Sequence, residues 1–251
     1  MAVADKVVGL IPTKLKNRIL NSPVERILTP VFLFSSDFKM FEFRTPKGDI
    51  KISLPTSVAF SNVATRGDLY EEDLVTAMAD SEIKDGAFFD VGARYGFSSR
   101  AAALCGVTET NIHAFEASYL NFRILQQNLQ NSQIIHGRIG DGNGKTLSLT
   151  DYTRNNNLKP AGIKIDVEGA ERSVLQGLQP VLDKFKPVLF IEVHPQKFGT
   201  QKASELMIDL SKRGYDILVA DHHGSNSEWI QYNHSKTDDI LVQNEFLVWC
   251  R

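Results

Sequence analysis

Cysteine is nearly absent: only Cys105 and Cys250 occur in 251 residues. Two thiols so far apart cannot form a disulfide scaffold, and a chain this long needs none to build a core. A reduced, cytoplasmic setting is the expectation. Long apolar runs are also lacking. No stretch approaches the ~18 residues of a membrane-spanning helix. The apolar run Val7-Val8-Gly9-Leu10-Ile11 meets Pro12, Lys14 and Lys16, and is too short for a signal peptide. Nor is there an excess of charge: 28 basic and 30 acidic residues leave a net −2, which argues against a nucleic-acid partner. No internal repeat or low-complexity tract is visible.

The first 34 residues are locally basic, with Lys6, Lys14, Lys16, Arg18 and Arg26 set among Val7, Leu10, Ile11, Leu15, Ile19 and Leu20. The pattern reads as helix broken by prolines. It either packs on its own domain or makes a weak membrane-surface contact. Two alternating segments, 39–44 and 49–54, flank Pro46-Lys47-Gly48 and predict a β-hairpin. Residues 1–67 are therefore expected to form a helical and hairpin extension, and 68–251 the main domain.

From Asp68 onward strands and helices alternate. Strands are expected at 87–91, 111–116, 133–136, 162–166, 188–193, 215–219 and 245–250. Helices are marked by Leu69, Leu74 and Met78, by 97–104, by Leu120, Ile124, Leu125 and Leu129, by Val174, Leu175, Leu178, Val181 and Leu182, and by Ala203, Leu206, Met207 and Leu210. Such alternation implies a mostly parallel sheet with helices on both faces. Ligands of such sheets lie beyond the carboxyl ends of the strands, so the residues just after each strand carry the chemistry.

Four strand ends stand out. Asp90-Val91-Gly92-Ala93-Arg94-Tyr95-Gly96 is a glycine turn leading into a helix, where a ligand can approach backbone lacking a Cβ and a helix N-terminus favours an anion. The G-x-G-x-x-G of dinucleotide sites is missing, which counts against a nicotinamide-dependent dehydrogenase. His113-Ala114-Phe115-Glu116 then places an acid near the offset of about 20 residues at which carboxylates grip ribose hydroxyls. Lys164-Ile165-Asp166-Val167-Glu168-Gly169-Ala170-Glu171 and Phe190-Ile191-Glu192-Val193-His194-Pro195 crowd acids at two further strand ends. Acids so placed repel one another unless a cation, such as a sulfonium or a metal ion, lies among them. Glu168 and Glu171 also suit the start of the following helix.

Taken in order and spacing, these four segments, with Val174-Leu175-Gln176-Gly177, resemble the FkbM family of S-adenosylmethionine-dependent methyltransferases over about residues 68–195. Arg94, Ala117 and Arg138 stand where the family usually has Asn, Pro and a small residue. The resemblance implies an α/β class I methyltransferase fold (Rossmann-like) with a seven-stranded sheet whose last strand, 245–250, is antiparallel beside 215–219. It also implies that Asp90, Gly92, Ala93, Arg94 and Gly96 lie by the methionine part of the cofactor. Glu116 would hold the ribose, with Ala117 beside it. Arg138 to Asp141 would border the adenine, and Asp166 and Glu168 would face sulfonium and acceptor.

The implied reaction is methyl transfer to a hydroxyl oxygen of a sugar, glycan or natural product. A non-catalytic or differently specific nucleotide-cofactor-binding protein of the same fold is the alternative. His194 is the first candidate for general base, with Asp166 second. Asp166, Glu192 and His194 offer oxygen and imidazole ligands to Mg²⁺ or a transition metal, but no short ligand motif demands a metal and none is expected. The long segment 221–239, with His222, His223, Trp229, Tyr232 and His234, suggests a lid, an acceptor-pocket wall or a polar surface loop; a three-histidine metal site is the weakest reading of it.

Overall fold

The strands that read as nearly continuous apolar runs are covered on both faces, as a buried parallel sheet requires. In the computed structural model, which describes residues 23–56, 70–83, 85–221, 228–233 and 245–251, the chain opens on α1 (Pro23–Ser35) and a hairpin of β1 (Phe38–Thr45) and β2 (Gly48–Pro55). It continues through α2 (Glu72–Asp80), β3 (Ala87–Val91), α3 (Phe97–Leu104), β4 (Ile112–Glu116), α4 (Tyr119–Asn128) and β5 (Gln133–His136). Two short strands, β6 (Ile139–Gly140) and β7 (Leu147–Ser148), precede α5 (Leu149–Asn155), β8 (Pro160–Ile165), α6 (Glu171–Phe185) and β9 (Val188–Val193). The last elements are α7 (Pro195–Phe198), α8 (Thr200–Lys212), β10 (Ile217–Asp221), β11 (Ile230–Gln231) and β12 (Phe246–Cys250).

The main sheet has eight strands in the order β11-β10-β12-β9-β8-β3-β4-β5. β12 runs antiparallel between β10 and β9, as expected for the last strand. The expected count of seven is corrected by β11, which pairs antiparallel with β10 at the edge. It comes from the long segment after β10, where alternation is too short to announce a strand. Trp229 just ahead of it packs edge-on to Trp249, with centroids 5.5 Å apart. α5 also lacks a signal, since its seven residues bury only Leu149 and Thr153.

Alternate side chains of each strand feed opposite faces. Phe89, Val91, Ile163, Ile165, Ile191 and Val248 meet the stripes of α6 and α8 on one side. Phe88, Ile112, Phe190 and Trp249 meet α2, α3 and the hairpin's inner residues Phe43, Ile50, Ile52 and Leu54 on the other. The hairpin thus shares the core of the sheet. α1 begins at Pro23, where the missing N–H costs nothing, and carries Pro30 inside. α1 is anchored through Glu25, whose carboxylate accepts from Ser118 Oγ at 2.5 Å and from the Leu120 N–H at 3.1 Å. Residues 1–22 and His222, His223 and His234, on which the membrane and three-histidine readings rest, lie outside the described residues. Among the described residues no helix is long and apolar enough to cross a membrane.

Candidate functional site

The carboxyl ends of β3, β4, β8 and β9 converge, and the glycine turn is built into that junction. Gly92 adopts φ +83° and Gly96 φ +96°, both in the left-handed range. A Cβ at Gly92 would sit 1.7 Å from the carbonyl oxygen of Asp166. The absent side chain therefore first makes room for the neighbouring strand's exit, whereas the sequence suggested room for a ligand. The Asp166 N–H donates back to Val91 O at 2.9 Å. Gly92 N–H and Ala93 N–H both donate to Phe115 O at 3.0 Å, so the turn is sewn to β4 as well.

Beneath the turn lies a buried charge pair. Asp90 is 0 % exposed and accepts from Ser99 Oγ at 2.6 Å. Lys164 Nζ stands 3.8 Å from Asp90 Oδ1, 3.3 Å from Asp166 Oδ2 and 3.4 Å from Gly92 O. Burial pushes the Asp90 carboxyl up, while Lys164 and Ser99 pull it back. For Lys164, burial works against the charge, but Asp166 and Asp90 outweigh it and hold the amine above the ordinary lysine range. Asp90 therefore serves under the turn as an anchor and does not present its side chain at the surface.

Glu116 ends β4 only 7 % exposed. Its two oxygens accept from the backbone N–H groups of Arg94 and Ser118, each at 2.8 Å. Burial raises its carboxyl, and these bonds oppose the rise. Carboxylate lone pairs remain for further donors. Arg94 stacks its guanidinium over Tyr95, 5.0 Å from the ring centre. Ala117 O accepts from His136 Nε2 at 3.1 Å. Arg138 is exposed, its carbonyl taking the Leu147 N–H. Asp141 closes its own turn, accepting from Asn143 N–H at 3.1 Å and Thr146 Oγ1 at 3.2 Å, and those bonds lower its carboxyl.

Asp166, Glu192 and His194 do come together: one ligand atom from each lies within 4.8 Å of the others. His194 is 2 % exposed. Its Nδ1 is 2.7 Å from Glu171 Oε1, and its Nε2 is 3.2 Å from Glu192 Oε1, 3.9 Å from Glu245 Oε1 and 4.0 Å from Asp166 Oδ1. Burial disfavours a charged imidazole, but the hydrogen bonds to Glu171 and Glu192 prevail and push its pKa up to about 10. Without another cation the ring holds its proton at neutral pH. Glu168 stays apart, paired with Lys197 at the surface.

Three members of the site gave little signal in sequence. Lys164 looked like one residue of a strand, Glu171 like a helix-capping acid, and Glu245 like a strand flank. Tyr70, whose phenol burial pushes up to about 12, also feels the charges of Lys164 and Glu192. The acid-rich run already included Glu171; what the sequence hid is that this residue, at the first position of α6, is wholly buried.

Residues 144–217 match the methyltransferase FkbM domain. The matched segment covers less than a third of the chain and resembles that domain. It carries Lys164, Asp166, Glu171, Glu192 and His194, while the glycine turn and Glu116 lie ahead of it. No curated protein matches the chain. Among solved structures, the FkbM methyltransferase of Methylobacillus flagellatus KT is 17 % identical, with 66 % of this chain and 44 % of that chain covered at TM-score 0.49. An rRNA methylase from Streptococcus thermophilus is 16 % identical, covering 74 % and 98 % at 0.49. The O-methyltransferase from Bacillus cereus in complex with SAH is 13 % identical, covering 76 % and 86 % at 0.48.

Proposed function

We propose that this methyltransferase uses S-adenosylmethionine to methylate a hydroxyl oxygen of a small molecule, sugar or glycan. One observation carries the reading. Asp166 belongs to both halves of the site, its backbone packed on the Gly92 turn and its side chain turned to Lys164 and His194. A ligand on the turn would thus meet an acceptor beside the carboxylates. The donor set fits the cofactor: a glycine turn, and an acid one strand over whose remaining lone pairs suit a ribose diol. Bound there, S-adenosylmethionine supplies an electrophilic methyl on a sulfonium.

The residues' part is to align the acceptor and take its proton. Alignment alone can contribute about 7–11 kcal/mol. Both nitrogens of His194 already face carboxylates, so the imidazole has no free lone pair for the acceptor. Asp166 replaces it as proton acceptor in this reading. It is part-exposed, and Lys164 holds only one of its oxygens, Oδ2. His194 becomes a positioning residue for Glu192 and Asp166.

Asp166→Asn should lower turnover by about 10²–10⁴-fold with S-adenosylhomocysteine affinity nearly unchanged. The test is a radiolabelled methyl-transfer assay on hydroxylated sugars and lipid-linked glycans, beside calorimetry. Turnover at the wild-type level in Asp166→Asn would remove it from the role. Calorimetry showing NAD bound in place of S-adenosylhomocysteine would overturn the cofactor.

Glu116→Ala should weaken S-adenosylhomocysteine binding by about 1.5–3 kcal/mol, the worth of a charged hydrogen bond. It should also destabilise the fold by about 1–3 kcal/mol, because two backbone donors lose their partner. Urea melts and calorimetry read the two losses separately. Unchanged affinity would take Glu116 out of the ribose role.

A further inference from the structure

We propose that Asp166, Glu192 and His194 hold a divalent cation of the Mg²⁺ or Mn²⁺ type, with Glu245 at its margin. A cation bound at 2.0–2.6 Å by ligands on opposite sides separates them by about 4–5 Å. The three ligand atoms lie within 4.8 Å of one another, so no element has to move for them to close on one ion. They come from the ends of two adjacent parallel strands, β8 and β9, whose register pairs Ile165 with Ile191. The sheet itself sets their spacing.

A second, independent observation lies behind the imidazole. Metal-ligating histidines almost always donate their other ring N–H to a carboxylate or carbonyl. Glu171 is 0 % exposed and takes Nδ1 at 2.7 Å, which aims Nε2 at the acids. Glu171 is itself fixed by the Gly169 N–H at 2.9 Å. Its second oxygen, Oε2, is buried with no hydrogen-bond partner among the described residues, and so is Asp90 Oδ1. Five carboxylates, of Asp90, Asp166, Glu171, Glu192 and Glu245, surround a group whose nearby cations are Lys164, Arg94 and His194. A part-buried excess of negative charge is what a divalent ion relieves.

The ligand chemistry selects the ion. Two carboxylates and one imidazole, with no thiolate, suit hard or borderline cations that keep water in open positions. Those positions would take the acceptor of the proposed function, and for that part the inference rests on the methyl-transfer reading. The cation would bind the acceptor's hydroxyl oxygen and lower its pKa. An acceptor offering two adjacent oxygens would then be preferred.

The test uses the full chain, stripped with chelator and titrated with Mn²⁺, free Mn²⁺ being followed by electron paramagnetic resonance. The wild type should bind a single Mn²⁺ saturably. Glu171→Gln should weaken binding by about 10–100-fold, as for removal of a ligand's supporting partner. Glu192→Gln, nearly isosteric, and His194→Ala should abolish it, with circular dichroism confirming the fold. No saturable binding by the wild type, or unchanged binding in Glu192→Gln, would overturn the site. Calorimetry with S-adenosylhomocysteine on the same preparations separates the two readings. Cofactor binding without Mn²⁺ overturns the cation site alone. Mn²⁺ binding without the cofactor supports the site and overturns the cofactor assignment.

Discussion

Lys164→Met should destabilise the protein by about 3–5 kcal/mol and abolish cofactor binding. Removing one member of a buried ion pair leaves the other uncompensated, and the cost falls in that range. Here the abandoned group is Asp90, wholly buried, with Ser99 Oγ as its remaining donor. The same amine also ties Asp166 Oδ2 and Gly92 O, so its loss frees the junction of turn and cluster. Adding Asp90→Asn should recover part of the stability, since a neutral amide needs no counter-charge. The cofactor site should not recover, because Asp166 and Gly92 O still lack their tie. Urea denaturation of the single and double variants, with S-adenosylhomocysteine calorimetry on the folded ones, checks both statements. A Lys164→Met protein as stable as the wild type would mean that Asp90 is protonated in the fold and needs no partner.

Gly92→Ala should be nearly as damaging, costing about 2–5 kcal/mol. Two causes add. The left-handed backbone costs a residue with a Cβ roughly 1–2 kcal/mol, and overpacking adds about 1–3 kcal/mol. The new methyl would meet the Asp166 carbonyl at 1.7 Å, and that contact is backbone, which cannot swing aside. Gly106 is the control. It also has positive φ, +105°, but a Cβ there would meet nothing within 4 Å. Gly106→Ala should therefore cost only the backbone part, about 1–2 kcal/mol. Equal melting shifts for the two variants would show that the close approach at Gly92 is not the source of the loss. Any Gly92→Ala protein that folds should also lose methyl transfer, because its Asp166 is displaced.

The two variants divide what was legible in the sequence from what was not. Strand and helix order could be read because burial imposes a period: Phe88 and Phe89 must be apolar together when both faces of β3 are covered, and α6 must carry its stripe every three to four residues. The hairpin was equally plain, its two-residue loop Pro46-Lys47 lying within the Pro46-Lys47-Gly48 turn signal. The placement of Asp166, Glu192, His194 and Glu116 at strand ends could be read from where the apolar runs stop. Chain order, however, carries no information about partners. A helix that begins at Pro23 is compatible with a break there, because a proline at the helix start loses no hydrogen bond, and Pro12 lies outside the described residues. β11 went unseen because two residues cannot show alternation.

Chemical roles required the third dimension. A histidine after a strand is a general base by its ordinary pKa. It becomes an imidazolium, or a metal ligand, once Glu171 and Glu192 take its two nitrogens at 2.7 and 3.2 Å. Lys164 is an ordinary strand residue until the sheet stacks it over Asp90, and Glu168 is an acid of the cluster until Lys197 draws it outward. The sequence by itself determined which residues stand at the carboxyl ends of the strands, because hydrophobic periodicity sets where each strand stops. Only the tertiary structure decided which of those groups face one another. The strength of a charge interaction depends on distance and on burial, and neither is a property of the chain's order.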